Sequence, residues 1–227
     1  MSGSSVLLVH GSFFSGWCWL PVIERLDRLG TSARTVDLPF TSLADDVAVL
    51  RDAIASASTH GPVTVVSHSY TGITASAAGH GAAHLVFVAA RMPAVGESQT
   101  ALNPQWGNPD FRSCFHVDPD GTMSLLDGAG KYLFNRTSPG MAEFAMRNRR
   151  SMRSEIPAEP LEDPAWLNVP SSYIVCTDDR AVRIEQQRMR AGWAKNSIEI
   201  DCDHSPFFSA PDETAQFIHD THVAETR

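Results

Sequence analysis

The sequence predicts an α/β protein: a doubly wound, mainly parallel sheet of six strands carrying an inserted helical cap. Three observations point there. Short β-branched runs alternate with stretches of helical periodicity, the pattern of parallel strands joined by right-handed crossovers. Several of those runs are apolar without a break, as strands buried on both faces are. One long stretch, 97–165, breaks the rhythm between two core strands and reads as an insertion.

The elements follow in order. Ser5 to His10 is continuously apolar up to its last residue, and Gly11 ends it. Trp17 to Leu29 has helical spacing through Trp19, Val22, Ile23, Leu26 and Leu29, with Gly30 as the stop. Ala33 to Leu38 is a second strand, ended by Pro39. Ser42 can cap a helix from Leu43 to about Ala57, whose apolar face is Leu43, Val47, Leu50 and Ile54. Gly61-Pro62 punctuates before the third strand, Val63 to Val66. Gly72 to Ala78 is small and Ala-rich, suited to a helix packed closely on a sheet. His84 to Ala89 is the fourth strand, Tyr173 to Cys176 the fifth and Ile198 to Ile200 the sixth. A helix from about Arg183 to Trp193 joins the last two, and Asp212 to His219 forms the final one.

Between Glu97 and Ala165 no strand is expected. Prolines recur there (Pro104, Pro109, Pro119, Pro139, Pro157, Pro160), and one helix, Pro139 to Met152 capped by Ser138, stands out. The chain therefore divides into 1–96 and 166–227, two parts of one core, with 97–165 between them as a lid.

Composition bounds the function without naming it. Of 227 residues 43% are apolar and 19% charged, which suffices for a sizeable core and argues against disorder. A net charge of −8 disfavours binding to a phosphate backbone, so nucleic acid is not an expected partner. The apolar runs fall far short of the ~20 residues a membrane span needs. Met1 to Ser5 carries no basic residue, so no secretory signal is read and a cytoplasmic location is expected. Cys18, Cys114, Cys176 and Cys202 show no CxxC or metal spacing, and reduced, buried thiols with no metal site are the expectation.

The sharpest chemical signal is Val65-Val66-Ser67-His68-Ser69-Tyr70-Thr71-Gly72. A buried strand ends at Ser69 and a small-residue helix starts after it, the setting of a nucleophile elbow. Ser67 and Thr71 occupy the flanking positions where the usual motif has glycine. Taken alone, Ser69 could be an ordinary helix cap. An activated serine, however, needs a base and the base an orienting carboxylate. The fifth strand ends in Thr177-Asp178-Asp179, and the sixth leads into Asp201-Cys202-Asp203-His204. Serine, aspartate and histidine thus each follow a strand at the edge where open α/β sheets place their ligands.

With these residues the sequence resembles the α/β-hydrolase superfamily, in the small branch that holds plant methyl-ester esterases and hydroxynitrile lyases. The likeness runs over nearly the whole chain. It rests on His10-Gly11-Ser12-Phe13-Phe14-Ser15-Gly16-Trp17-Cys18-Trp19, on the Ser69 elbow, on Val175-Cys176-Thr177-Asp178-Asp179 and on Asp203-His204. The resemblance implies Ser69 as nucleophile, His204 as base and Asp179 as the acid, with Asp178 the alternative. It also implies an oxyanion hole from the backbone N–H groups of Ser12 and Tyr70. His10 and His68 are read as structural supports.

The implied activity is hydrolysis of a small-molecule ester or lactone without cofactor or metal, and the chain is open to acting as a homodimer. Two rivals remain. In hydroxynitrile lyases a lysine follows the catalytic histidine and a threonine replaces the glycine of the opening; here they are Ser205 and Gly11. A ligand receptor on the same fold would bind without turnover. Phe13, Phe14, Trp17, Trp106, Phe111, Phe115, Phe134, Phe144 and Phe207, with Phe208, are the candidates for a largely apolar or aromatic pocket. Arg147, Arg149, Arg150 and Arg153, near one another on the expected cap helix, read as a solvated face rather than a carboxylate site.

Overall fold

In a computed structural model, which describes residues 5–98, 104–153 and 160–226, the six expected strands form one sheet. They are β1 (Ser5–Val9), β2 (Ala33–Val36), β3 (Val63–His68), β4 (His84–Val88), β8 (Ser171–Cys176) and β9 (Asn196–Ile200). Their spatial order is β2-β1-β3-β4-β8-β9, and every pairing is parallel. Parallel pairing puts all the carboxyl ends on one edge. The loops after β1, β3, β8 and β9 therefore converge.

Alternation along each strand explains why the runs had to be apolar throughout. Leu7, Val9, Val65, Phe87, Tyr173 and Val175 pack on one face, with Leu50, Ile54 and Ala57 of α2 (Leu43–Ser58) and Ala75 and Ala78 of α3 (Thr71–Ala78). Val6, Leu8, Val66, Val86, Val88 and Ile174 face the other way, onto Val22 and Leu26 of α1 (Leu20–Arg28) and Ala215 and Ile218 of α6 (Pro211–Thr226). Each of the valine, leucine, isoleucine and phenylalanine side chains among them contributes roughly 1.5–3 kcal/mol of burial.

Local chemistry sets the helix ends. Ser42 Oγ accepts from Asp45 N at 3.0 Å and caps α2 as expected. The first helix starts later than its periodicity predicts. Gly16–Trp19 is a 3-10 turn and α1 begins at Leu20, because Pro21 has no N–H to give and is tolerated only in the first turn. The helix α5 (Ile184–Ala191) is shorter than read and α6 longer.

The inserted stretch departs most from expectation. It is not purely helical. Phe115–Val117 (β5), Thr122–Leu125 (β6) and Met152–Arg153 (β7) form a three-stranded antiparallel sheet in the order β5-β6-β7. The β5–β6 turn is Asp118-Pro119-Asp120-Gly121, where Gly121 sits at φ +82° and Asp118 N donates to Thr122 O at 2.9 Å. A Pro-Asp-Gly run between two strand-like pieces is a turn signal with a mechanism. The expected Pro139-to-Met152 helix stops early as α4 (Pro139–Arg147), because Met152 and Arg153 pair with β6 instead. Ser138 stands at its cap position without a side-chain capping bond.

Candidate active site

The turn after β3 is strained by design. Ser69 takes φ +56°, a left-handed conformation that costs a non-glycine residue about 1–3 kcal/mol. The end of β4 and the segment after it hold it there: Ser69 N donates to Val88 O at 3.1 Å, and Ser69 O accepts from Arg91 N at 2.9 Å. Thr71 fits where glycine is usual because its hydroxyl turns back to the strand end, donating to His68 O at 2.9 Å. The glycine requirement falls elsewhere. A Cβ at Gly72 would lie 2.1 Å from Arg91 O, and one at Gly11 would lie 2.5 Å from His68 Nδ1. Gly72→Ala must displace the backbone carbonyl of Arg91, whose N–H holds the elbow at Ser69 O. It is expected to cost about 3 kcal/mol or more, or roughly 10 °C in Tm; a thermal scan within 2 °C of the parent would contradict the tight approach.

Ser69, His204 and Asp179 meet across three loops. His204 Nε2 lies 3.0 Å from Ser69 Oγ, and His204 Nδ1 lies 2.7 Å from Asp179 Oδ2. A carboxylate can only accept, so Nδ1 carries the hydrogen and Nε2 presents its lone pair to the serine hydroxyl. The Asp179 side chain is fully buried and its oxygens are saturated: Oδ1 accepts from Ala181 N and Val182 N, and Oδ2 from Gln187 Nε2, each at 2.8 Å, besides the histidine. Gln187, buried on α5, also accepts from Cys176 N at 2.9 Å, which fixes the amide that orients the acid. Asp178 is turned to the surface, 2.9 Å from Arg136 Nε, and that guanidinium holds its carboxyl below the usual range.

The two supporting histidines are both kept neutral. His68 Nε2 donates to His204 O at 2.7 Å, and its ring centroid lies 4.7 Å from that of His204. Burial first, and then the neighbouring His204, push its imidazole well below the ordinary range. His10 Nε2 accepts from Leu38 N at 3.1 Å, so its Nδ1–H donates to Gly11 O at 3.0 Å; burial brings its pKa down to about 4. His10 thereby pins the loop that carries Ser12. Phe13 follows at φ +67°. Among the described residues, no acceptor is found for the Ser12 or Tyr70 backbone N–H.

Asp203 joins the insertion to the histidine loop. Its Oδ2 accepts from Arg136 N, Thr137 N and Thr137 Oγ1, each at 2.9 Å, while Oδ1 accepts from Ser205 N at 2.9 Å and Ser209 Oγ at 2.7 Å. Asp203→Asn would aim an amide N–H₂ at donors in a buried place. It is expected to lower stability by about 2–4 kcal/mol, read as a drop in the urea midpoint; a change below about 0.5 kcal/mol would show that the carboxylate is dispensable.

A cavity of about 310 Å³ opens over Ser69 and His204. Of the aromatic residues expected there, Phe13, Phe14, Trp106, Phe111 and Phe115 line it, as do Ser12 and Tyr70. Trp17, Phe134, Phe144 and Phe207 do not. Trp17 stacks on Phe208 at 5.9 Å and meets Phe144 edge-on at 5.3 Å, in a seam between core and insertion. Phe134 packs behind Phe14 at 5.7 Å, Phe144 is 44% exposed on the outside of α4, and Phe207 is buried against Trp19 and His68. Aromatic character alone did not tell wall from seam. Met123, Leu133, Met152 and Val182 complete the apolar wall, and Arg91, Arg112 and Arg153 line it too. Of the four arginines read as a solvated face, Arg147 pairs with Glu143 at 3.1 Å, Arg149 with Asp127 at 2.7 Å, and Arg150 lies over the Phe40 ring; Arg153 alone turns to the cavity.

Among the described residues no group of three His, Cys, Asp or Glu side chains could hold a metal ion, and the four cysteines are buried and unbridged. No helix among them is long and apolar enough to cross a membrane.

The profile of the alpha/beta hydrolase family matches residues 6–217. Alpha/beta hydrolase nvfD of Aspergillus novofumigatus (strain IBT 16806) is 29% identical over 240 residues, covering 94% of each chain. Methylesterase 7 of Arabidopsis thaliana is 30% identical over 246 residues, covering 91% of this chain and 92% of its own. Among solved structures, polyneuridine aldehyde esterase superposes with a TM-score of 0.82 at 21% identity, over 96% of this chain and 99% of that one.

Proposed function

Because the chain belongs to the alpha/beta hydrolase family, in the branch of the plant-type esterases, we propose that it cleaves carboxylic esters or lactones through an acyl-enzyme on Ser69. The observation that carries this reading is the continuous hydrogen-bonded line from Ser69 Oγ through His204 to Asp179. Ser69 Oγ attacks the ester carbonyl as His204 Nε2 takes its proton. Asp179 keeps the imidazole in the required tautomer and stabilises its cation. The N–H groups of Ser12 and Tyr70 receive the developing oxyanion, where one donor is typically worth about 10²–10³ in rate. His204 then protonates the leaving alcohol, and water cleaves the acyl group by the reverse roles.

The lyase reading loses support at Gly11. A threonine there would begin with a Cβ 2.5 Å from His68 Nδ1 and 3.2 Å from Ser69 Cβ, so this elbow is built around a glycine. Rapid mixing with a p-nitrophenyl ester, followed by intact-mass and peptide analysis, tests the proposal. An acyl adduct on the Ser69 peptide and repeated turnover are expected. Release of a single equivalent of alcohol without turnover would favour the receptor reading, and turnover with no adduct at Ser69 would overturn the mechanism.

A further inference from the structure

We propose that the Ser205 hydroxyl holds the water that frees the acyl group from Ser69, accepting the O–H of that water which His204 does not take. The inference rests on the acyl-enzyme reading and adds a catalytic residue to its second half.

Ser205 is bonded to His204 in the chain, is only 2% exposed, and lines the same cavity as His204 and Ser69. Its backbone is fully engaged. Ser205 N donates to Asp203 Oδ1 at 2.9 Å, and Ser205 O accepts from Phe208 N at 2.9 Å and Ser209 N at 3.1 Å. These bonds seat it at the cap of the short helical turn Pro206–Ser209. A serine there ordinarily turns its oxygen back onto the helix N–H groups, and this one makes no such bond. Among the described residues the hydroxyl has no hydrogen-bond partner. Nor is it one of the sealed polar atoms that lack one, as His68 Nδ1 and Trp106 Nε1 are. Buried hydroxyls normally find partners, so one left open beside the base is free to take a water.

The rest of the wall supplies what this water cannot use. A water that gives one hydrogen to His204 Nε2 needs an acceptor for the other. Guanidinium groups and an indole N–H only donate, and the apolar side chains do neither. The Tyr70 hydroxyl is already spent on Asp46 Oδ2 at 3.1 Å. Ser12 follows β1, on the side that receives the oxyanion. Ser205 Oγ, with two lone pairs, stands on the side of the base.

The step balances with water alone. The water oxygen bonds to the acyl carbon as one proton passes to His204 Nε2. The bond from that carbon to Ser69 Oγ then breaks, and Oγ takes the proton back. The second O–H, directed at Ser205 Oγ, leaves with the acid product, and Ser205 keeps its own proton throughout.

The test compares Ser205→Ala with the parent on p-nitrophenyl pentanoate, by steady-state kinetics and by rapid quench with intact-mass detection of the acyl adduct. kcat/KM reports the steps up to the adduct and should stay within about twofold. Decay of the adduct should slow by about tenfold, the worth of one hydrogen bond to the reacting water. The burst of p-nitrophenol should rise accordingly. Because no bond within the protein is lost, Tm should stay within about 2 °C. An unchanged decay overturns the proposal, and so does an equal loss in kcat/KM, the mark of a general distortion. A parent that turns over with no adduct on Ser69 removes the acyl-enzyme reading and this water with it. An adduct whose decay ignores Ser205 removes only the water's holder.

Discussion

Ser69→Ala is expected to lower kcat for a p-nitrophenyl ester by about 10⁴–10⁶-fold without loss of fold. Alanine keeps the Cβ that the φ +56° backbone already accommodates, and removes only the hydroxyl 3.0 Å from His204 Nε2. The two neighbouring aspartates should then separate cleanly. Asp179→Asn places an amide where four donors converge, Ala181 N, Val182 N, Gln187 Nε2 and His204 Nδ1. Either the imidazole takes the wrong tautomer or a buried N–H₂ faces another donor, and a loss of about 10⁴ in kcat follows. Asp178→Asn trims an exposed pairing with Arg136, worth little in water, and should stay within about threefold of the parent. Steady-state kinetics on the three variants, with circular dichroism to confirm folding, decide the matter. A large loss in Asp178→Asn with activity kept in Asp179→Asn would move the acid by one residue.

How much of this was readable from the chain depends on the range of the interaction. The strands β1, β3 and β8 announce themselves because burial on both faces fills them largely with apolar residues, and the buried polar ones among them, such as Thr64 and Ser172, are held by hydrogen bonds. The cap at Ser42 and the elbow at Ser69 are local, and so is the order of serine, aspartate and histidine after successive strands. The roles of Gln187 and Asp203 were not legible, although Asp203 stands in the quoted run before His204. Each acts on residues brought near only by folding, Gln187 on Asp179 and Asp203 on Arg136 and Thr137. Arg91 was invisible for the same reason, since nothing local distinguishes a cavity arginine from a surface one. The β5–β6 hairpin was missed although its turn is legible. Its strands are short and half exposed, with Val117 at 51%, so the apolar alternation that reveals a strand is weak.

The other large effect expected is acid lability set in from pH 6.5 downward, ahead of carboxylate titration. Burial lowers His10 and His84 to about 4, puts His68 well below its ordinary value, and lowers His222. In the unfolded chain each returns to about 6.5. Between those limits the unfolded state binds protons that the folded state refuses, so stability is full above about 6.5 and falls as pH drops toward 4. His10 and His84 alone are worth on the order of 3 kcal/mol each across that window, against a total of about 5–15 kcal/mol for a domain. Asp46 works the other way: burial raises its carboxyl, so it gains a proton earlier in the fold and offsets part of the loss. The same protons reach the site. A charged His10 could no longer accept from Leu38 N, and the loop bearing Ser12 would lose its pin. Urea midpoints measured at pH 7.5, 6.5, 5.5 and 4.5 should be level over the first two and decline steeply over the last two. A midpoint that is flat or rising from 6.5 to 4.5 would mean that the buried imidazoles find compensating partners on protonation. His84→Gln, able to keep a hydrogen bond to Ser172 Oγ now made at 2.9 Å, should flatten the decline by one histidine's share.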